Sequence, residues 1–486
     1  MPETPPPNTP QRPSSPQAAD TGLFVTEAQP WLRLLIPLVV AVAFLMEQLD
    51  ATIITTAIPD MAHALRTSPV QMNLAVSAYV LTLAVFIPLS GWWADRYGIR
   101  RVFIGALGLF TAGSALCAMA ASFPMLIATR VLQGLGGAMM TPVGRLILLR
   151  SFPRSQLIKA MTYTTLPAIA GPVIGPLLGG YLTTYLSWRW IFFVNLPFGL
   201  GGMVLAYRFL KLLPATAETT AFDMPGFLLF GTGIGLFEAA VEATGHWPLA
   251  ALAALILAAA TLVWVFARRA RSRAHPMIDL SLLRERAFGI ATMAGGLCRI
   301  AMNSPVYLLP LMLQLGLGMS PVQSGSLTVL AALGAPVVRL IANAALRRFG
   351  FRRILFAGAV AGAATLANFA LIGHETPHIL IAADIIFFGL ARSIQFMSSN
   401  TLAYADVTAE RLSRATSLGG LLQQLTVSFG VSFGAALLGL FAVNPRTPSL
   451  AEFHAVFAVL ALLPLLALPG FARLRPEDGA VVRGRV

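Results

Sequence analysis

Several ionisable residues interrupt stretches of this sequence that are otherwise long and apolar. Glu47 and Asp50 fall within residues 32–58 and Arg130 within 124–148. Glu238 and Glu242 fall within 225–244, Arg299 within 287–315, and Asp384 and Arg392 within 378–403. A charge inside an apolar span is costly and usually faces a cavity or a partner. A carboxylate in such a place can gain and lose a proton, and a guanidinium beside it favours the ionised form. At 1.5 Å of rise per residue, Asp50 lies roughly 12 Å below one end of its run, and Arg130 roughly 9 Å below the same end of its own. They share a level. Protonating Asp50 would free Arg130, so the two, with Glu47 nearby, are the candidates for proton coupling. Arg299 and Arg392 fall about 18 and 21 Å into their runs, near the middle. With Glu238 and Asp384 they are the candidates for holding a small-molecule substrate. An arginine can grip a carboxylate in bidentate fashion, or it can be neutralised by Glu238, Glu242 or Asp384. Arg339 lies near the end of its run, where it can snorkel, and is discounted.

Other chemistry is excluded. HETPH at 374–378 matches the HExxH zinc pattern, but Pro377 interrupts the helix that this motif requires. Cys117 and Cys298 lie far apart within apolar runs, without CxxC spacing, and read as small buried hydrophobes. No phosphate-binding P-loop is present. Neither a metal, a cofactor nor an enzymatic activity is expected.

The elements that position these residues are membrane helices. Hydrophobic residues make up 57% of the chain and charged ones 11%, against roughly half and a quarter in soluble proteins. The mean hydropathy is +0.75. Helix-length apolar runs span 32–58, 70–93, 102–122, 124–148, 160–184, 187–207, 225–244 and 247–267. After a polar stretch come 287–315, 321–345, 354–373, 378–403, 415–442 and 453–473. The fold class is therefore an all-α polytopic membrane protein with fourteen transmembrane helices and both termini on one side. With the termini in the cytoplasm, 27 of the 34 basic residues fall on inside segments and helix ends, as the positive-inside rule requires. The formal charge of +14 is thus a topology signal, and no nucleic-acid partner is expected.

GWWADRYGIRR, at 91–101, places four charges and two glycines between two apolar runs. A shift of 252 residues lays Arg96-Tyr97-Gly98-Ile99-Arg100-Arg101 over Arg348-Phe349-Gly350-Phe351-Arg352-Arg353. Each copy joins the second and third helices of a six-helix half. The expected organisation is a disordered Pro-rich tail (1–30), a six-helix bundle (31–208), two extra helices with a linker (209–286), a second six-helix bundle (287–475) and a tail (476–486). Asp223 is a plausible N-cap and Pro225 suits a first helical turn. Gly98 permits a positive φ in the turn, and Gly91 a close helix approach. Asp95 can pair with a cation or cap a helix N-terminus, a contact able to bias one conformation over another. Gly171, Gly175 and Gly179 recur every four residues beside Pro172 and Pro176. Small residues at this spacing let helices touch, and the prolines remove backbone donors.

GWWADRYGIRR resembles the cytoplasmic signature of the major facilitator superfamily, with Asp95, Arg96, Gly98, Arg100 and Arg101 in the gating loop. LDATIITTAIP (49–59) resembles the first-helix motif of its fourteen-span drug:proton antiporters, and RVLQGLGGAMM (130–140) the fourth-helix motif. GPVIGPLLGG (171–180), which ends in Gly179 and Gly180, resembles the fifth-helix antiporter motif, and WRWIFFVNLPFG (188–199) is typical of the same branch. Trp93 departs from the usual Leu, and Arg347 stands where the first copy has Asp95. The resemblance implies a proton-coupled multidrug exporter of the bacterial inner membrane, working by alternating access on small-molecule substrates and protons in the lipid bilayer. A monomer is expected. It also places the first and fourth helices of each half around one cavity, with the fifth helix sealing the halves. Asp50, Arg130, Arg299 and Arg392 would then line that cavity. An exporter of one anionic metabolite or metal chelate is the alternative.

Overall fold

A bilayer leaves unpaired backbone groups no water to bond, so a chain this apolar must satisfy its amides within helices. The computed structural model describes residues 32–152, 154–210, 222–244, 247–273, 277–475 and 477–480. Every regular element among them is helical. The tails expected at 1–30 and 476–486 lie outside the described residues, save 477–480. Thirteen helices are long and apolar enough to cross a membrane. A further helix of 32 residues, Arg154–Tyr185, stands between the fourth and fifth of these. Its length, about 48 Å, exceeds the hydrocarbon thickness, and with it the fourteen runs recur in order.

The first half comprises α1 (Leu32–Ile53), α2 (Ile58–Ala64), α3 (Asn73–Tyr97), α4 (Ile99–Ala118), α5 (Phe123–Ser151), α6 (Arg154–Tyr185), α7 (Trp190–Phe193) and α8 (Asn195–Phe209). An inserted hairpin follows, α9 (Met224–Glu242) and α10 (Leu249–Ser272). The second half comprises α11 (Arg286–Asn303), α12 (Pro305–Leu311), α13 (Pro321–Thr328), α14 (Gly334–Phe369), α15 (His378–Ala405), α16 (Ala409–Phe441), α17 (Leu450–Leu466) and α18 (Leu468–Ala472). Asp223 caps α9, accepting from the Gly226 amide with Pro225 in the first turn, as its sequence position implies. It also pairs with Arg269 at 3.2 Å, fastening α9 to the end of α10.

The halves meet through α3 against α16 and through α6 against α13. These are the second and fifth helices of each half, so the contacts follow the internal repeat. The repeat also appears in the backbone. Gly98 has φ 87° and Gly350, 252 residues later, has φ 77°. A side chain is disfavoured there, and the glycine lets the chain reverse in one residue between helices.

The apolar core is distributed unevenly along the bundle axis. At the end holding residues 54–72 and 307–319, one buried cluster runs through both halves, from Ile54, Met61 and Trp188 to Tyr307, Phe369 and Phe457. Towards the end holding the 91–101 and 345–353 turns, the core divides. One cluster, around Phe103, Phe110 and Met140, belongs to the first half. The other, around Phe288, Leu355 and Phe471, belongs mainly to the second half and includes Phe230 and Phe266 of the hairpin and Ala84 of α3. The halves share one core at one end and have largely separate cores at the other.

Candidate functional site

Between the halves lies a cavity of about 730 Å³. At its joined end, the Tyr307 hydroxyl donates to the Pro69 carbonyl and Gln314 Nε2 donates to the Thr56 carbonyl at 3.1 Å. Both bonds cross from one half to the other. The glycines of α6 explain how the helices come close enough. A methyl on Gly171 would strike Gln48, one on Gly175 would strike Thr52, and one on Gly179 would meet Ile53 and Thr56. This stripe therefore seats α6 on α1. On the opposite side, Gly180 meets the Pro321 backbone and Gly325 meets that of Pro176. Those two contacts pack α6 against the second half. Pro172 and Pro176 themselves line the cavity, and α6 continues as a helix through both.

Asp50 and Arg130 form the ion pair that their depths suggest, with Arg130 Nη1 at 2.6 Å from Asp50 Oδ2. Their surroundings differ from the expectation. The two are 1% and 0% exposed, and neither lines the cavity. They sit inside the first bundle, in a network built from five helices. Gln133 Nε2 donates to Asp50 Oδ1 at 2.8 Å, and Gln133 Oε1 accepts from Arg130 Nη1 at 2.8 Å. Asn195 Nδ2 donates to the same Asp50 oxygen at 3.3 Å and to Ser114 at 3.1 Å. Arg130 Nε donates to the Ala75 carbonyl at 2.9 Å, and the guanidinium lies 4.2 Å over the Tyr79 ring. The physical reason is helix rotation. A shared depth fixes the level of two side chains and leaves open which face of the helix carries them. One turn earlier, Glu47 does face the cavity and accepts from the Thr141 hydroxyl.

In the second half, Arg392 lines the cavity and donates to Asn303 Oδ1 at 3.3 Å. Arg299, 5% exposed, lies behind the wall and donates to Asn400 Oδ1, which does line it. Both guanidinium groups approach the Phe396 ring, at 5.4 and 5.6 Å. Among the described residues neither meets a carboxylate: their hydrogen bonds go to amides.

The remaining acidic candidates lie elsewhere. Glu238 is 2% exposed and accepts from Ser428 and Ser432 of α16, at the seam with the inserted hairpin. Asp384 accepts from Asn368 at 3.3 Å, on the contact of α14 with α15. Neither lines the cavity, because each projects from a face packed on a neighbouring helix. Arg339, discounted as a snorkelling residue, is the opposite correction: it lines the cavity.

In the 91–101 loop, Asp95 pairs with Arg150 at 3.1 Å. Arg150 belongs to α5 of the same half, so in this conformation the pair does not bridge the halves. Arg100 donates to the Tyr207 carbonyl at 2.8 Å and lies over that residue's ring, tying α4 to α8. Arg96 stacks on Trp92, and Arg101 is exposed. The close approach expected at Gly91 is not made, since a methyl there would meet nothing within 4 Å. His374 and Glu375 of HETPH precede α15, which starts at His378. Among the described residues no group of His, Cys, Asp and Glu could hold a metal.

Gln133, Asn195 and Ser114 escaped the sequence reading. Two left a signal. Gln133 follows Arg130 by three positions, which places both on one helix face, and Asn195 sits within the WRWIFFVNLPFG motif already noted.

The family described as Major Facilitator Superfamily matches residues 40–431 and, in a second match, 291–484. A Cronobacter sakazakii protein named "Putative multidrug resistance protein MdtD" is 40% identical over 451 residues, covering 90% of this chain and 94% of the relative. A Pectobacterium atrosepticum protein of the same name is 39% identical over 449 residues, covering 90% and 95%. Among solved structures, a D-xylose-proton symporter aligns with a TM-score of 0.64 at 14% identity, covering 92% of this chain and 98% of that one. A peptide transporter in complex with sulfate aligns with a TM-score of 0.66 at 16% identity, covering 91% and 96%.

Proposed function

The chain belongs to the major facilitator superfamily, and from that premise we propose that it is a proton-coupled multidrug exporter working by alternating access. The observation that carries the reading is the sealed Asp50–Arg130–Gln133–Asn195 network beside the cavity-facing Glu47. A proton entering from the cavity reaches Glu47 first. Asp50 follows one helical turn further along α1. Neutralising Asp50 leaves Arg130 without its counterion in a low-dielectric interior, where an unpaired charge costs several kcal/mol. Relief requires α1 and α5 to move relative to each other. Proton arrival is thereby converted into rearrangement of the first bundle.

With the basic loops in the cytoplasm, the divided end faces inward, so the cavity would load from the cytoplasm. Tyr307, Gln314 and the α6–α13 contact then form the outer seal. The assignment places the chain in the bacterial inner membrane with both termini cytoplasmic. The names of its relatives support a drug-like cargo, and Glu47 suits a cation.

A specific observation favours the second reading, export of an anionic metabolite or metal chelate. Arg392 and Arg339 line the cavity, and Arg392, like Arg299 behind it, binds amides in place of a carboxylate. An arginine near mid-membrane costs at least ~2.5 kcal/mol, and a bound anion would offset that.

One experiment addresses both readings: proton-driven uptake into inverted membrane vesicles, with ethidium as the monocation and a fluorescent dicarboxylate as the anion. Asp50→Asn is expected to abolish gradient-driven uptake while retaining substrate binding, and full uptake by this variant would overturn the coupling role. Arg392→Ala is expected to lower dicarboxylate uptake at least tenfold and ethidium uptake by less. Equal losses for both probes would remove the anionic reading.

A further inference from the structure

The inserted hairpin carries two carboxyl groups that the transport site does not use. Glu238 and Glu242 stand one turn apart on α9 and so share a face. Each is bonded to a different half. Glu238 Oε1 accepts from Ser428 at 3.2 Å and from Ser432, both on α16 of the second half. Glu242 Oε2 accepts from Asn73 Nδ2, at the start of α3 in the first half, at 2.6 Å. Among the described residues, Glu238 Oε2 and Asn73 Oδ1 are buried without a hydrogen-bond partner.

Among the described residues, no cation is available to the pair from the elements packed on α9. On α10, Arg268, Arg269 and Arg271 lie in the last turns, and Arg269 is engaged by Asp223 at the far end of the hairpin. On α3, Tyr79 lies against Arg130, and Asp95, Arg96 and Tyr97 occupy the other end. On α16, Glu410, Arg411 and Arg414 belong to the first two turns. Among the described residues, the titratable groups about the pair are each other and the Tyr307 hydroxyl. Two carboxylates a turn apart, with hydroxyl and amide donors only, cannot both ionise in a low-dielectric seam. With hydroxyl and amide donors as their described partners, the two carboxyls favour holding a proton between them.

We propose that Glu238 and Glu242 form a proton-binding pair through which the inserted hairpin fastens the two halves to each other, and that loss of the proton loosens this fastening. When the pair is protonated, α9 is tied to α16 on one side and to α3 on the other, across the α3–α16 contact that must shift when the halves rock. When the proton leaves, two like charges face each other in the seam, and the relief available is withdrawal of α9 from one half. The hairpin is then a proton-sensitive brace, separate from Asp50 and Glu47.

The test uses the full chain reconstituted in liposomes, with infrared difference spectra recorded between about pH 4 and pH 9, a window that covers carboxyl titration in proteins. Part of the protonated-carboxyl C=O band should vanish in Glu238→Gln/Glu242→Gln and persist in Glu47→Gln/Asp50→Asn. Because the double glutamate variant could fold poorly, Ser428→Ala/Ser432→Ala provides a second measurement: both carboxyls remain, and the band should change frequency while keeping its amplitude. Spin labels at the exposed, repeat-related positions Tyr97 and Phe349 should show a pH-dependent change of separation that the double glutamate variant loses. A band of wild-type amplitude in that variant, or a wild-type pH response of the label separation in it, would overturn the proposal, as would an unshifted band in the serine variant.

Discussion

Arg130 shows how much a single side chain can organise. Its three polar contacts point in different directions: a carboxylate on α1, an amide on its own helix and a backbone carbonyl on α3, with an aromatic face closing the remaining side. A lysine would retain the charge and lose the planar fork that reaches Asp50, Gln133 and Ala75 together. Arg130→Lys should therefore fold, with a lower melting temperature in detergent and gradient-driven uptake at least tenfold below wild type. Arg130→Ala strands Asp50 as a buried charge, at a cost of about 3–5 kcal/mol, and should leave little folded protein on size-exclusion chromatography. The partnership itself was legible in the sequence, since charges at equal depth in two apolar runs can afford few other companions. The direction of the pair was not, because depth carries no information about rotation. Glu238 and Asp384 were misplaced for the same reason. A carboxylate in a span must face something polar, and the serines of α16 and Asn368 serve as well as a cavity would.

Elements were easier to read than residues, because each rests on many positions at once. The fourteen runs, the cap at Asp223 and the left-handed glycines at 98 and 350 all follow from local chemistry. What failed at this scale was Gly91, which lies within α3 and touches nothing. A glycine states that a side chain is unnecessary, and only the neighbouring helix decides whether it is forbidden. The contrast is testable by thermal unfolding in detergent. Gly91→Ala should be neutral or stabilise slightly, since it removes helix-interior glycine. Gly175→Leu should destabilise by about 1–3 kcal/mol or more, because Thr52 of α1 already fills that space. The linker offers a test by pH. Asp279 receives the Ser281 hydroxyl and amide and lies 3.4 Å from Arg411. Burial works against its charge, but these donors outweigh it and hold the carboxyl below its ordinary value. A carboxyl lowered on folding contributes stability above its unfolded pKa and loses it as pH falls through the folded value. The clamp between the linker and α16 should therefore persist at neutral and mildly acid pH and release only below the ordinary aspartate range. Protease cleavage of the linker, sampled by acid pulses, should rise there and nowhere above it. Arg411→Ala should make cleavage fast at every pH, with a global cost no larger than ~1 kcal/mol for so accessible a pair.

At the scale of the whole molecule, the charge distribution predicts which side each turn occupies. Reporter fusions at Glu375 and Glu410 should report opposite sides of the membrane, 375 outside and 410 inside. The same side for both would contradict the orientation on which the inward-facing assignment rests. The conformational state was not legible in the sequence, because the residues that join the halves at one end, such as Tyr307 with Pro69, lie 238 positions apart and carry no motif. Only the packed structure shows that one core is shared and that two belong mainly to single halves. The matched glycines have a further consequence. A turn repeated after 252 residues has the same reversal of the chain in both copies, while the residue ahead of it is Asp95 in one and Arg347 in the other. Both turns stand at the same end of the bundle, so that face carries two like reversals, and only the first has an acid to hold, through Asp95 and Arg150. A contact that needs the acid is open to the first half and closed to its repeat, so the two halves hold this face unequally.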